Sequence, residues 1–511
     1  MSHKQRLGLM AAGVLLLLAA PQAVRAADCI KMIGSENGVP NLTMDPAFMN
    51  NDDDSYQMFA VYNRFLDLDS KLQPVPELAK SWSVSPDGKV WTFKLEEGVK
   101  FHNGKDFTAA DVVYTFRRLI DPAVGSPAKG VLGFIKPDNI KAVDAHTVTF
   151  TTDQPTADLP TILGVKYNLI VPEGSKSDEL KLHEQGTGPF VQDKYSPTET
   201  LRIFKRNPTY WRKGLPKAEC LQLSVISEEV TRTAAIKSGA ADLLISAGPS
   251  SLAQLKDDPS VKVLQSAPGG YYTISMWTDT KPFNDVRVRQ AMKAVIDRQA
   301  LVDAVLLGYG LPGNDAPLPP TSPAAYRTDV KPRDVALAKK LLAEAGYPNG
   351  IEIELNTGDA APGFVNFSQA YQQMAAEAGI KVDIVNNPGD SYWDVIWMKK
   401  PLFQSFWSAR PPAEALGYTF TSAAAYNEGR WKNAKFDGLL DQARSEMDAT
   451  KRNDLYKQAE QLLADDGGII IPFFLTNVAV LRAECSGYEP NPQSVNLSYD
   501  ELTCKGKEAQ Q

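Results

Sequence analysis

Residues Pro76–Ile120 read PELAKSWSVSPDGKVWTFKLEEGVKFHNGKDFTAADVVYTFRRLI, and they carry the most structural information in the chain. Pro86-Asp87-Gly88 is a turn signal between two β-like runs. After it, Trp91, Phe93 and Leu95 alternate with Thr92 and Lys94, which predicts a strand with one apolar and one wet face. Asn103-Gly104 marks a second turn. Thr108-x-x-Asp111 then has the form of a capping box and predicts an amphipathic helix running to Ile120.

Working outward, the N-terminus indicates export. Lys4 and Arg6 precede an apolar run from Leu7 to Ala20, followed by Pro21 and the small-residue site Val24-Arg25-Ala26. This is the pattern of a secretory signal peptide over residues 1–26, with cleavage after Ala26 and a periplasmic mature chain. The run is short for a membrane span. Asp28 before Cys29 does not fit a lipoprotein signal. The formal charge of the whole chain is −7, and loss of Lys4, Arg6 and Arg25 with no acid makes it −10. That balance disfavours nucleic acid and anionic lipid as partners. At 511 residues and 43% hydrophobic, the chain has material for more than one core.

Four cysteines, Cys29, Cys220, Cys485 and Cys504, imply two disulfides in an oxidising compartment, with three pairings open. Cys29 and Cys220 each open a predicted strand; if those strands are neighbours, these two join and Cys485 is left with Cys504. No cysteines stand at metal-ligand spacing, and His102, His146 and His183 are scattered, so neither metal nor cofactor is expected.

Further along, a helix is expected over Tyr56–Phe65, and a loop Gly186-Thr187-Gly188-Pro189-Phe190 is followed by a strand and Arg206-Asn207-Pro208-Thr209-Tyr210-Trp211. The Pro76–Ile120 unit, the GTGPF loop and RNPTYW, in this order, resemble the extracytoplasmic solute-binding proteins of the peptide/opine/nickel group, family 5, which feed ABC importers. The resemblance implies a two-lobed α/β periplasmic binding protein fold of the cluster C type, with an extra subdomain in the first lobe. It implies a lobe I core from 27–65, 185–276 and 475–511, the extra subdomain at 66–184, and lobe II at 277–474. It also implies a monomer that captures a small solute and delivers it to ABC permease subunits at the inner membrane.

The residues themselves predict a strand–helix–strand unit from Cys220, its helix capped by Ser227 and stopped at Gly239. A helix capped by Asn284 or Asp285 follows. Leu337, Leu341 and Ala345 form an apolar stripe on a helix that stops at Gly346. The strand IEIELN, the helix FVNFSQAYQQMAAEAG and the strand KVDIVN form an α/β unit of a parallel sheet. Gly310–Ala325, rich in proline, is expected as a rigid surface loop beside the cleft.

Enzyme signatures are missing: there is no Gly-x-Ser-x-Gly elbow, no Walker-type loop and no His-Glu-x-x-His. The chain is therefore read as a binder, not an enzyme. A general peptide binder or chemoreceptor ligand-binder is the near alternative, and a secreted hydrolase a distant one.

Tyr392–Trp431 holds Trp393, Trp397, Trp407 and Trp431 with Phe403, Phe406 and Tyr418, a set suited to a closing cleft or to a lobe core. Trp393 and Trp397 are assigned to the core and Trp407 to the cleft. Dipeptide- and oligopeptide-binding members of the resembled family carry an Asp in the loop after Trp407 that holds the peptide ammonium group. Here Ala409 and Arg410 stand there. A guanidinium in a cleft holds a carboxylate or phosphate bidentately, unless a lobe-internal acid such as Asp394 pairs with it. The expected cargo is therefore carboxylate-bearing: a peptide-like compound, an opine, or an aminopolycarboxylate or metal chelate. Tyr271, Tyr272 and Trp277 at the expected lobe crossing, and Asn41 in the loop before the acidic triplet Asp52-Asp53-Asp54, are further ligand candidates.

Overall fold

The computed structural model describes residues 29–34, 43–49, 52–194, 201–493 and 497–508. The predicted signal peptide lies outside the described residues.

The Pro76–Ile120 unit folds as its residues dictate. Strands Ala79–Val84 and Val90–Leu95 pair antiparallel through the Pro86-Asp87-Gly88 turn. With Ile140–Asp144 and Thr147–Thr151 they make a four-stranded sheet. The alternation holds: Trp91, Phe93 and Leu95 are buried. The helix Ala109–Ile120 is capped as predicted, since the Asp111 carboxylate accepts from the Thr108 N–H at 2.8 Å and from its hydroxyl at 3.0 Å. Phe65, Phe93, Phe116 and Phe150 fill the space between helix and sheet, with ring centroids 5.0–5.8 Å apart.

Two seven-stranded sheets carry the rest. In the first, Ile30–Gly34 runs parallel to Cys220–Val225 and to Leu243–Leu244. Antiparallel strands extend it outward to Phe190–Lys194 on one side and Val261–Gln265 on the other. Cys29 and Cys220 flank the first parallel pair and are joined, as are Cys485 and Cys504. In the second sheet, Tyr271–Met276 pairs antiparallel with Leu402–Trp407. Ile351–Gly358 and Ile380–Asn387 run parallel through the helix Phe364–Ala376, the α/β unit expected there.

The chain passes between these sheets twice. Tyr271–Met276 belongs to the second sheet, so the first passage falls at 266–270, before the expected changeover at 277. Phe473–Leu475 is still in the second sheet and Val478–Arg482 is in the first. The two passages are bonded to each other: Ser266 N–H donates to the Asn477 carbonyl at 2.9 Å and Gly269 N–H to Leu475 at 3.0 Å.

The GTGPF loop shows why its glycines are there. A Cβ on Gly186 would lie 1.9 Å from the Val61 carbonyl oxygen, and one on Gly188 would lie 2.4 Å from the Val61 carbonyl carbon. His102 bridges the loop, donating its backbone N–H to Gly186 O at 2.9 Å while its ring nitrogens contact Glu184 at 2.6 Å and Gly188 O at 3.0 Å. Asn207 and Trp211 of RNPTYW close the same knot, on Gly188 O and Asn63 Oδ1, each at 3.0 Å.

Several local expectations are corrected. The first helix is Asp52–Val61 rather than 56–65, because Asp54 is buried inside its first turn and accepts the Thr43 N–H at 3.1 Å. The helix Glu229–Ser238 follows Glu228, not Ser227, although it ends at Gly239 in the left-handed region as predicted. Of the two cap candidates, Asp285 caps the helix Val286–Ala294. In Val335–Glu344 the buried pair is Ala338 and Leu342, while Leu337 is 42% exposed. Leu341 and Ala345 are partly buried against the core as expected, and the buried face is centred one position on, where this helix meets Val286–Ala294. The proline-rich segment is a surface loop only in part: the exposed stretch is confined to 319–323, and Pro312–Leu318 is buried. Its polar groups are met internally, by Arg298 on Asp315 at 2.7 Å and by Glu460 on the Leu318 N–H at 2.8 Å.

Candidate ligand-binding site

The strand Leu402–Trp407 ends where Pro411 and Pro412 forbid its continuation, and Pro412 instead starts the helix Pro412–Phe420. That geometry sets Arg410 one turn before Glu414, and its Nε donates to Glu414 Oε1 at 2.9 Å. The guanidinium carbon stands 4.9 Å over the Trp407 ring and 5.3 Å over Tyr418. Two aromatic faces and one acid therefore fix its plane. Among the described residues the terminal nitrogens of Arg410 have no hydrogen-bond partner, and its side chain is 20% exposed. Its partner is Glu414, not Asp394.

Other parts of the chain converge here. Tyr167, from the extra subdomain, feels the charges of both Glu414 and Arg410, although burial is the main cause that raises its phenol pKa. Gln493, near the C-terminus, donates to the Ala409 carbonyl at 3.2 Å. Tyr271 lies opposite Trp407 in register, and burial raises its phenol pKa against the lowering effect of Arg410.

The aromatic wall continues inward. Trp397 stacks on Tyr426 with centroids 5.6 Å apart, and Tyr426 meets Trp407 edge-on at 6.0 Å. Beneath it Glu428 is 2% exposed and accepts the Trp397 indole N–H at 2.6 Å and the Ser275 hydroxyl at 2.7 Å. Burial raises its carboxyl pKa, and bonds from Trp397 and Ser275 oppose the shift.

The sequence candidates thus divide. Arg410, Trp407 and Tyr271 come together. Tyr272 points to the opposite face of its strand, donates to the Pro362 carbonyl at 2.6 Å and packs on Phe364 and Phe473. Trp277 lies just past the far end of the same strand, about 20 Å from Tyr271 at ~3.4 Å per residue, with Arg430 held 3.2 Å over its ring. Asn41 lies outside the described residues. Trp431 is buried and donates to Asp466 at 2.7 Å, and Phe403 is buried in the lobe core. Sequence reasoning did not single out Tyr167, Glu414, Tyr426, Glu428 or Gln493 for the site. Glu414 and Tyr426 carried a signal: Glu414 stands four residues after Arg410, and Tyr426 lies within the aromatic-rich stretch.

Among the described residues the one cluster with metal-ligand types is Asp242 with Cys485 and Cys504. Those sulfurs are bonded to each other, and Asp242 is bridged to Lys507 at 2.6 Å. Among the described residues no helix is long and apolar enough to cross a membrane.

The model of the bacterial extracellular solute-binding proteins, family 5 (middle segment), matches residues 73–428. The chain belongs to this family. Family 5 proteins are extracellular solute binders. Heme-binding protein A of Haemophilus influenzae is 29% identical over 475 residues, covering 86% of each chain. Glutathione-binding protein GsiB of Escherichia coli O157:H7 is 29% identical over 473 residues, covering 90% of this chain and 91% of the relative. The solved structure of HbpA2 from Haemophilus parasuis superposes with a TM-score of 0.80 at 26% identity, over 93% of this chain and 99% of that one. The two-lobed family 5 architecture follows from these likenesses and from the sheets described above.

Proposed function

We propose that this protein is the periplasmic substrate-binding component of an ABC importer whose cargo is a small, carboxylate-bearing solute, gripped by Arg410. The carrying observation is the guanidinium itself. It is fixed over Trp407 and Tyr418 and anchored by Glu414 through Nε, its terminal nitrogens have no hydrogen-bond partner among the described residues, and Tyr167 lies within reach of its charge. A forked donor held in this way matches a carboxylate bidentately. Heme and glutathione, named for two of the relatives, both carry carboxylates, which supports the same ligand class. Binding draws the lobes together about the two passages at 266–270 and 476–477, and the closed form is what the permease receives. The chain performs no bond chemistry, is exported by its N-terminal signal, and acts as a monomer.

The test is a thermal-shift panel of opines, glutathione, hemin, short peptides and aminopolycarboxylates with and without metal, followed by calorimetry of each hit. Hits should be carboxylates, and Arg410→Ala should weaken them at least about tenfold, the loss of one charge-assisted contact. Unchanged affinity in Arg410→Ala, or a panel in which only uncharged or cationic solutes bind, refutes the assignment.

A further inference from the structure

The extra subdomain and lobe II also touch away from the inter-sheet passages. The loop after strand Thr147–Thr151 presents Ala157 and Asp158 to helices Ala434–Ser445 and Ala449–Asp466 of lobe II. Tyr456 donates its hydroxyl to Asp158 Oδ2 at 2.6 Å, and Arg452 Nε pairs with Asp158 Oδ1 at 3.2 Å. The Ala157 N–H donates at 3.0 Å to the carbonyl of Arg444, at the helix end where carbonyls lack intrahelical partners.

Both sides of this contact are braced. The Trp91 indole N–H holds the Thr156 carbonyl at 3.2 Å from the subdomain side. Arg452 is fixed by the Glu446 carbonyl at 2.8 Å. The ion pair is largely shielded, with side chains 17% and 18% exposed, and Tyr456 is buried. None of these residues belongs to the Arg410 site or to the passages at 266–270 and 476–477. Because they join the extra subdomain to lobe II, rotation of lobe II about those passages would load them.

We propose that Asp158, with Tyr456 and Arg452, is a latch across the cleft that sets the open–closed balance of the receptor before ligand arrives. Its strength then scales the affinity of every ligand alike, because apparent affinity carries the fraction of molecules already competent to bind. This is separate from what the cargo is, so the test uses ligand-free protein.

Spin labels at Asp138→Cys and Lys339→Cys, both exposed and on opposite sides of the cleft, report the distance distribution in the full mature protein. Tyr456→Phe removes one hydroxyl and should lower the closed-to-open ratio about threefold to tenfold; Asp158→Ala should lower it roughly tenfold or more. Tyr456→Phe in the Asp158→Ala background should add nothing further. Asp454→Ala, on the same helix but exposed, should leave the distribution as in the parent. Tyr456→Phe is conservative enough to keep the fold, which near-ultraviolet dichroism checks. A distribution unchanged by Tyr456→Phe and Asp158→Ala, or shifted equally by Asp454→Ala, overturns the latch.

Discussion

Glu460 makes the protein lose stability as pH rises. It lies in the helix Ala449–Asp466 with no exposed surface, and among the described residues its two oxygens accept only backbone N–H groups, Leu318 at 2.8 Å and Tyr326 at 2.9 Å. Desolvation pushes its pKa from 4.5 up to about 8, and the two N–H bonds offset only part of that. The native state therefore holds a proton that the unfolded chain has released between those two values. The contribution is fully present below the unfolded pKa of 4.5 and is lost as pH climbs through the folded value of about 8. Within the window the slope is about 1.4 kcal/mol per pH unit, and the integrated loss is on the order of 5 kcal/mol. The perturbation is Glu460→Gln, which cannot ionise. Its amide places a donor against one backbone N–H, so the variant starts less stable at low pH; the diagnostic quantity is the slope. Urea unfolding of both proteins at pH values of about 5.5, 6.5 and 7.5 should show the wild-type advantage shrinking by about 1.4 kcal/mol per unit. A difference that stays flat across that range refutes the reasoning, because it means Glu460 titrates alike in the folded and unfolded chains.

Lys293 supplies the opposite sign. It is buried, donates to the Ala464 and Gly467 carbonyls at 2.9 Å each, and desolvation lowers its pKa from 10.5 to about 7. Above about pH 7 the unfolded chain binds the extra proton, so wild type should gain stability relative to Lys293→Met as pH rises from 7 to 9, by up to about 1.4 kcal/mol per unit in denaturant titrations. The disulfides should rank by the chain they close. Cys29 and Cys220 are separated by 191 residues and Cys485 and Cys504 by 19. Serine pairs should therefore cost about 5 and about 3 kcal/mol respectively, measured as shifts in urea midpoint, and the reverse ranking would count against loop closure as the cause.

How much of this was legible in the sequence depends on the range of the forces involved. The Thr108–Asp111 box and the Trp91, Phe93, Leu95 alternation are local patterns, and both appear as read. The start of the first helix, the place of Leu337 and the burial of Pro312–Leu318 differ from the sequence expectation because neighbours remote in sequence decide them. Thr43 draws Asp54 inward, the facing helix selects Ala338 over Leu337, and Glu460 and Arg298 make burial of Pro312–Leu318 tolerable. At the site, Trp407 ends a strand and Arg410 stands three residues on in the following loop, so both are legible in one short stretch. Glu428 and Tyr167 did not, since a buried acid and a cleft tyrosine are defined only by what the fold sets against them. Trp277 and Tyr272 show the converse. Adjacency to Tyr271 in sequence says nothing of face or distance along a strand, where a one-residue step reverses the side chain and six residues span about 20 Å.

The site and the passages between the sheets are also one mechanical unit. A Cβ on Gly269 would stand 2.4 Å from the Ala409 Cβ and 3.1 Å from the Pro492 Cβ, and one on Gly270 would stand 3.1 Å from the Trp407 carbonyl oxygen. The 266–270 passage thus packs directly on the backbone that carries Trp407 and Arg410, with the C-terminal segment on its other side. Gln493 reinforces this by holding the Ala409 carbonyl. Under the proposed function, a ligand held by Arg410 would load the same segment that links the two sheets, across a contact as small as the Ala409 Cβ. Under the two proposals above, closure would be governed by this contact together with that of Asp158 with Tyr456 and Arg452. A ligand needs only to supply the difference in free energy between these two contacts made and broken.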